Sequence, residues 1–380
     1  MSEWHLITSE YPPQIGGVSD YTYMVGSGLA AAGDTVHVWC PTSGGETPAS
    51  PGVAVHREFG RFAPADLRRA GRLLDQFPAP RRLLVQWVPH GYGYRSMNLA
   101  FCLWLGKRAK LNRDRVELMV HEPFLPFREG TWKQDAAAVA HRAMTIILLN
   151  AASRVWTSIP AWESRLRPYA IGREMGFEWL PIPSTIPPVA DAAAVSAIRK
   201  RYGAGGRPLI AHFGPYIRQV MEPLICFLPA LLREHDASIL LLGRGGEALR
   251  DALTGTRNDL AARVHATGSL GLDGISCHLS ACDLMIQPYP DGISSRRTSA
   301  MAGLSHGLPI VTTTASNTED LWAESGAVAL APTGDIAALR QLTEALLCDG
   351  GERNRLSAAA RKLYHERFDL QHTIARLRER

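Results

Sequence analysis

Short apolar runs alternate with longer amphipathic stretches along this chain. The first run, Trp4–Thr8, passes through a glycine-bearing loop into a helix at Tyr21–Ala32. Strand-like runs follow at Val36–Cys40, Leu83–Val88, Glu117–His121 and Arg154–Thr157, with helices at Pro64–Phe77, Met97–Lys110 and Trp132–Leu149. Strands alternating with helices of about 10–15 residues predict βαβ units and a parallel sheet. A second series begins at Leu209–Phe213 and continues through strands Ser238–Leu242, Arg263–Thr267, Leu284–Gln287, Leu308–Thr312 and Ala327–Leu330. Its helices end near Glu234, then span Glu247–Leu253, Leu272–Ala281, Thr298–His306 and Ile336–Leu347. Between the two series lie Pro181, Pro183, Pro187 and Pro188, an alanine-rich helix, and Gly203-Ala204-Gly205-Gly206. Prolines at that density end one element and stiffen the connector that follows. The pattern predicts an α/β protein of two doubly wound domains, 1–185 and 186–363, with a terminal helix at 364–380 that is broken near Phe368-Asp369.

Composition narrows the partners. Apolar residues make up 46% of the 380 positions and charged residues 20%, an ordinary globular balance. The net charge of +5 is spread without basic runs and without aromatic interleaving, which fits an anionic small molecule and argues against nucleic acid. Six scattered cysteines form no Cys-x-x-Cys pair, and Cys277, His278 and Cys282 fit no usual zinc spacing, so no metal site is expected. Reduced thiols point to the cytoplasm. No apolar run reaches the roughly 20 residues of a membrane span and no signal peptide precedes Trp4, so no integral membrane segment is expected. Peripheral contact with an anionic membrane stays open, and the oligomeric state is not legible.

The stretch Tyr289–Thr313 carries the densest chemistry. Pro290-Asp291-Gly292 marks a turn, Arg296 and Arg297 follow, and a small-residue helix, Thr298–His306, stops at Gly307. A polar loop entering a helix offers free N–H groups and a favourable dipole to an anion, and paired guanidinium groups add bidentate grip on a diphosphate. The competing reading is a solvated turn whose arginines pair with carboxylates. Glycines just after strands, at Gly214, Gly243 and Gly268, place close backbone approach at the C-terminal sheet edge, where such folds bind ligands.

Several segments in order resemble the GT-B glycosyltransferases, most closely the retaining family-4 type. They are Glu10-Tyr11-Pro12-Pro13 with Gly16-Gly17-Val18-Ser19, Val120-His121-Glu122-Pro123, His212-Phe213-Gly214, Leu242-Gly243-Arg244-Gly245, Ala281-Cys282-Asp283 and Ser305–Thr313. The resemblance spans essentially the whole chain. It implies two Rossmann-like domains facing across a cleft, with the nucleotide-sugar donor on the second and the acceptor on the first. It also implies a terminal helix that returns to the first domain, and no metal or other cofactor beyond the nucleotide-sugar co-substrate. By the same resemblance His121 touches the donor sugar or steadies developing charge, and Glu122 orients it or acts near the acceptor.

Beside these implied roles, Asp291 reads as a sugar-hydroxyl ligand or a plain Asp-Gly turn, and Ser294 and Ser299 as phosphate contacts or caps. Glu319 reads as a ribose ligand or an N-terminal helix residue. Gly16, Gly17, Gly214, Arg218, Gly243, Gly268, Gly292, Arg296 and Arg297 complete the expected donor set. The aromatic, glycine-rich run from Gln86 to Arg95 supplies an acceptor set of Gln86, Trp87, His90 and Tyr92, or else fills a domain edge.

The chain departs from the family where two glutamates with seven residues between them usually stand. Counting back from Gly307, Ala302 and Ser294 hold those places. After Gly214 the usual basic pair is reduced to Arg218. The expectation is a metal-independent, retaining transferase using a UDP-sugar rather than a GDP-sugar, with a small-molecule, glycan or lipid-linked acceptor. Two alternatives stand beside it: a GT-B enzyme with a non-sugar nucleophile, and a catalytically silent nucleotide-sugar-binding protein. A dehydrogenase is set aside because the first loop lacks Gly-x-Gly-x-x-Gly.

Overall fold

The computed structural model describes residues 1–93, 96–127, 131–172, 174–255 and 258–379. Two compact units make up the chain, one of Met1–Ile182 with Leu370–Arg380 and one of Pro183–Asp369.

In the first unit seven strands pair in parallel: β1 (Glu3–Ile7), β2 (Thr35–Trp39), β3 (Val53–His56), β4 (Arg82–Trp87), β5 (Arg115–Val120), β6 (Ala152–Thr157) and β7 (Phe177–Trp179). Their spatial order is β3-β2-β1-β4-β5-β6-β7. Helices α1 (Gly17–Ala31), α2 (Pro64–Leu74), α3 (Leu99–Leu111), α4 (Trp132–Ala151) and α5 (Ala161–Leu166) connect them. Side chains alternate across a strand, and here both faces are covered. Ile7, Val85, Leu118 and Val155 belong to one core with Leu67, Phe101 and Met144, while Leu6, Leu84, Met119 and Trp156 belong to another with Tyr21, Val25 and Leu29. Burial on both faces is why these strands read as continuous apolar runs.

The second unit holds a six-stranded parallel sheet of β8 (Leu209–Phe213), β9 (Ser238–Leu242), β10 (Val264–Ala266), β11 (Leu284–Gln287), β12 (Ile310–Thr314) and β13 (Ala329–Pro332). The order is β10-β9-β8-β11-β12-β13, so the winding reverses between β8 and β11. Its helices are α6 (Ala192–Tyr202), α7 (Arg218–Glu234), α8 (Gly246–Thr254), α9 (Leu272–Ser280), α10 (Thr298–His306), α11 (Leu321–Ser325), α12 (Ile336–Cys348) and α13 (Gly350–Leu363). The proline-rich connector holds α6, started by Asp191, whose carboxylate accepts from Ala194 N at 2.9 Å.

After a π-helical turn at Tyr364–Phe368, the chain re-enters the first unit as α14 (Leu370–Arg378). α14 packs on α1 so closely that a Cβ on Gly28 would lie 2.8 Å from Ile374 Cδ1. Arg82 Nη2 donates to Leu377 O at 2.7 Å, and Arg378 pairs with Asp34 at 3.0 Å. Arg82 also holds the buried Glu117 at 2.6 Å. Short elements went unread in the sequence, namely β3, α5 and β7. β3 and β7 lie on the two edges of their sheet, where half-burial leaves a weak apolar signal.

Candidate functional site

At the C-terminal edge of the second sheet, the segments following β8 to β12 converge. Gly214 N donates to Leu242 O at 3.3 Å, and Gly243 forms an isolated bridge with Gly268. These three glycines thus sit together after β8, β9 and β10. At the reversal point His212 Nδ1–H donates to Ile286 O at 2.8 Å, and Gln287 Nε2 donates to Phe213 O at 2.8 Å. Both side chains stitch β8 to β11 under the site. Burial brings the His212 imidazole down to about 4, so the ring is neutral at physiological pH. Sequence reasoning gave neither residue a site role, since a cross-strand stitch depends on strand order.

The loop between β11 and α10 is built around Gly292. Its φ is +81°, and a Cβ there would meet Thr318 Oγ1 at 2.2 Å and Ala315 N at 2.4 Å, so only glycine fits. That close approach brings Asp291 to the loop after β12, where Asn317 Nδ2 donates to its Oδ2 at 3.2 Å. Arg296 Nη2 reaches the same oxygen at 2.6 Å, and Arg297 pairs with the other oxygen. The guanidinium of Arg297 also sits 4.7 Å from the Tyr289 ring centroid. Both arginines are therefore gathered by one internal carboxylate, and the group of three keeps a net positive charge.

Glu319 ties the same two loops a second time. Its carboxylate accepts from Ser295 N at 2.9 Å, from Ser295 Oγ at 2.5 Å and from Trp322 Nε1 at 2.7 Å. Burial raises its pKa, with these hydrogen bonds opposing the rise. Ser294 is fully buried and Ser299 nearly so, with Ser299 Oγ 2.7 Å from Tyr289 OH. The structure therefore seats both serines under the loop, away from the surface a phosphate would reach. Arg218 opens α7 fully exposed and paired with Glu222 at 2.6 Å. Beside the loop lies a cavity of ≈ 550 Å³ lined by Tyr289, Pro290, Thr313, Thr333, Pro223 and Ile336 among others.

In the first unit, Gly16 and Gly17 do open α1, yet the amides behind them are taken. Glu10 Oε1 accepts from Val18 N at 3.1 Å and from Ser19 N at 3.0 Å. A Cβ on Gly16 would lie 2.3 Å from that oxygen. An internal carboxylate thus occupies the position at which a diphosphate was expected. Asp20, in the first turn of α1, is raised to about 6 by burial and by the nearby Glu10.

His121 follows β5, as expected of a sheet-edge residue. Its Nε2 lies 2.9 Å from Gln86 Oε1, its ring edge meets Tyr21 at 4.9 Å between centroids, and Trp162 Nε1 donates to its carbonyl at 2.9 Å. With an amide oxygen facing Nε2, that nitrogen carries the proton and Nδ1 is left as the acceptor. Burial depresses the ring to about 3, so it acts as a neutral imidazole.

Of the expected acceptor set, Gln86 is buried and serves His121. Trp87 and Tyr92 lie in the core, stacked at 5.4 Å and 16°, and the Tyr92 hydroxyl donates to Gln86 O at 2.6 Å. Their aromatic faces are spent on packing, because the strand end turns inward over α3. His90 is exposed and lies 3.6 Å from the exposed Glu122. Tyr94 and Arg95 of the same run fall outside the described residues. Among the described residues no group of three His, Cys, Asp or Glu side chains is placed to hold a metal ion.

Residues 207–349, which include all six strands of the second sheet, match the family model for glycosyl transferases, group 1. The second unit therefore carries a group 1 glycosyltransferase domain. The fold of the chain is GT-B, shared over almost the full length with solved structures of low sequence identity. Sucrose-phosphate synthase from Thermosynechococcus elongatus superposes with a TM-score of 0.75 at 16% identity, covering 99% of this chain and 97% of that one. WaaG, a glycosyltransferase of lipopolysaccharide biosynthesis, gives 0.67 at 13% identity, with 99% and 98% covered. Anabaena Alr3699/HepE, solved in complex with UDP-glucose, gives 0.65 at 15% identity, with 98% of each chain covered. No curated protein sequence matches this chain.

Proposed function

We propose that this glycosyltransferase moves a hexose from a UDP-sugar to an acceptor with retention at the anomeric carbon, in the manner of the family-4 type. The observation that carries the reading is the convergence of Gly214, Gly243, Gly268, Asp291-Gly292, Arg296-Arg297 and Glu319 at one sheet edge. That edge belongs to the domain the group 1 model matches. The donor lies there, its diphosphate met by Arg296 and Arg297 in place of the basic pair missing after Gly214. Asp291, released from one arginine, turns to the sugar hydroxyls. UDP is favoured over GDP because HepE, with the same fold, was solved with UDP-glucose.

In the reaction the bond from the anomeric carbon to the diphosphate oxygen breaks and a bond to the acceptor oxygen forms on the same face. The acceptor proton passes to the leaving phosphate oxygen, so the protein supplies position and electrostatics. The neutral His121, oriented by Gln86, contributes a hydrogen bond rather than a charge. The acceptor is a small molecule, a glycan or a lipid-linked glycan held by the first unit, with the exposed His90 and Glu122 as its polar contacts. The reaction takes place in the cytoplasm, in keeping with six free cysteines.

Calorimetric titration of UDP, GDP and ADP into the wild type, Arg296→Ala and Arg297→Ala tests the donor site. Saturable UDP binding, weakened about tenfold or more in either variant, is expected for a lost charge-assisted phosphate contact. Unchanged binding in both variants moves the donor elsewhere, and no nucleotide binding removes the reading. UDP-sugar binding without turnover would favour the silent-binder alternative, for which the internal carboxylates on the arginines and on α1 are the supporting observations.

A further inference from the structure

Exposed apolar side chains are concentrated on one face of the first unit. Among the described residues, twelve large hydrophobic side chains are exposed, and seven of them fall between Met97 and Val139. On α3, Leu99, Leu103, Lys107 and Leu111 follow one another at four-residue spacing, with Lys110 beside them, and all five are exposed. That spacing aligns them along one outward face of the helix. The inward face is already used, with Phe101, Cys102 and Leu105 in the core. On α4, Trp132 and Val139 are seven residues apart and 76% and 58% exposed, while Met144 and Leu148 face the core. The two helices lie side by side, and a Cβ on Gly106 would sit 4.0 Å from Ile147 Cγ2.

The exposed charges on α3 and α4 have one sign. Lys107, Lys110 and Lys133 are exposed, and Lys133 Nζ lies 5.7 Å from the Trp132 ring centroid. Asp135 is the one acid in either helix, and it is half-buried. Leucine and lysine interleaved along an outward stripe, with a tryptophan at its end, form a surface that buries apolar tips while its ammonium groups reach anions.

We propose that the outward face of α3 and the start of α4 seats the first unit on a bilayer bearing anionic headgroups. Leu99, Leu103, Leu111 and Trp132 enter the headgroup–acyl boundary, and Lys107, Lys110 and Lys133 meet the lipid phosphates. An outward helix face suits a flat partner, and lysines with no exposed acid on either helix suit an anionic one. The contact is peripheral, since no helix among the described residues is long and apolar enough to cross a membrane. It stands independently of the donor site.

Flotation of the full chain with vesicles decides it. Phosphatidylcholine vesicles are compared with vesicles carrying about 30 mol% phosphatidylglycerol, for the wild type, Leu103→Glu/Trp132→Glu and Lys107→Gln/Lys110→Gln. Wild-type binding to the anionic vesicles is expected, at least about tenfold tighter than to neutral ones and weakened by salt. The glutamate variant loses it and the glutamine variant binds several-fold less, with both keeping the wild-type circular dichroism and melting profile. A wild type that does not float, or a glutamate variant that floats as well as wild type, overturns the proposal. So does a dimer in light scattering that the glutamate variant disperses, because the face would then belong to a second copy.

Discussion

Asp20 shows how one side chain's surroundings set its chemistry. Folding holds its carboxyl at about 6, first through burial and then through the charge of Glu10. A raised carboxylate keeps its full contribution to stability below the unfolded value near 3.8 and loses it as pH rises through about 6. Asp20→Asn removes the cost of charging. The variant should be about 1–2 kcal/mol more stable than wild type at pH 8, after allowance for the solvent screening of a half-buried group, and equal to it at pH 4. Melting temperatures across that range check it. An equal gain at both ends would mean the substitution acts through packing rather than through the proton.

At the scale of elements, α1 is the informative case. Its sequence opens with Gly16-Gly17, and those glycines were expected to receive a diphosphate. The structure places Glu10, from the loop after β1, on the next two amides, those of Val18 and Ser19. Nothing in residue spacing announces a carboxylate that arrives through tertiary folding. Glu10→Ala leaves two N-terminal amides of α1 without a partner and should cost about 1–2 kcal/mol. It should also let Asp20 ionise at lower pH, since a neighbouring negative charge has gone. Thermal melting and a carboxyl NMR titration measure the two effects, and an unmoved Asp20 would show that burial alone holds it up.

The same contrast runs through the rest of the site. Central strands such as β8, β9 and β11 matched their sequence-derived bounds residue for residue, because burial on both faces gives unbroken apolar runs. Asp291, Arg296 and Glu319 were legible as a group because adjacent parallel strands deliver their following loops to one edge. Trp87 and Tyr92 were not, since an aromatic residue reads the same in a core as on a binding face.

The whole molecule is two cores threaded by one chain that leaves the first unit and later returns to it. Among the described residues, the two buried clusters around Ile7 and Leu6 in the first unit share no residue with the cluster around Ile210 in the second. Ile374 and Leu377 of α14 close the cluster that contains Trp4, Val25, Leu29 and Val36. Polar ties fix the same helix, from Arg82 to Leu377 O and from Arg378 to Asp34. Truncation after Asp369 therefore uncovers a core face of the first unit and leaves the chain of the second unit, Pro183–Asp369, intact. Two buried aliphatic side chains and their ties amount to about 3–5 kcal/mol, a large share of the stability of a domain this size. Hydrogen exchange should show amides of β1, β2 and β4 losing protection in the truncated chain, with β8, β9 and β11 unchanged. Equal loss in both sheets would mean that the units fold as one cooperative body. Full protection in both would mean that α14 closes nothing. The proposed nucleotide contacts, Arg296 and Arg297 among them, belong to the second unit, so UDP binding should survive the truncation even where the first unit is loosened.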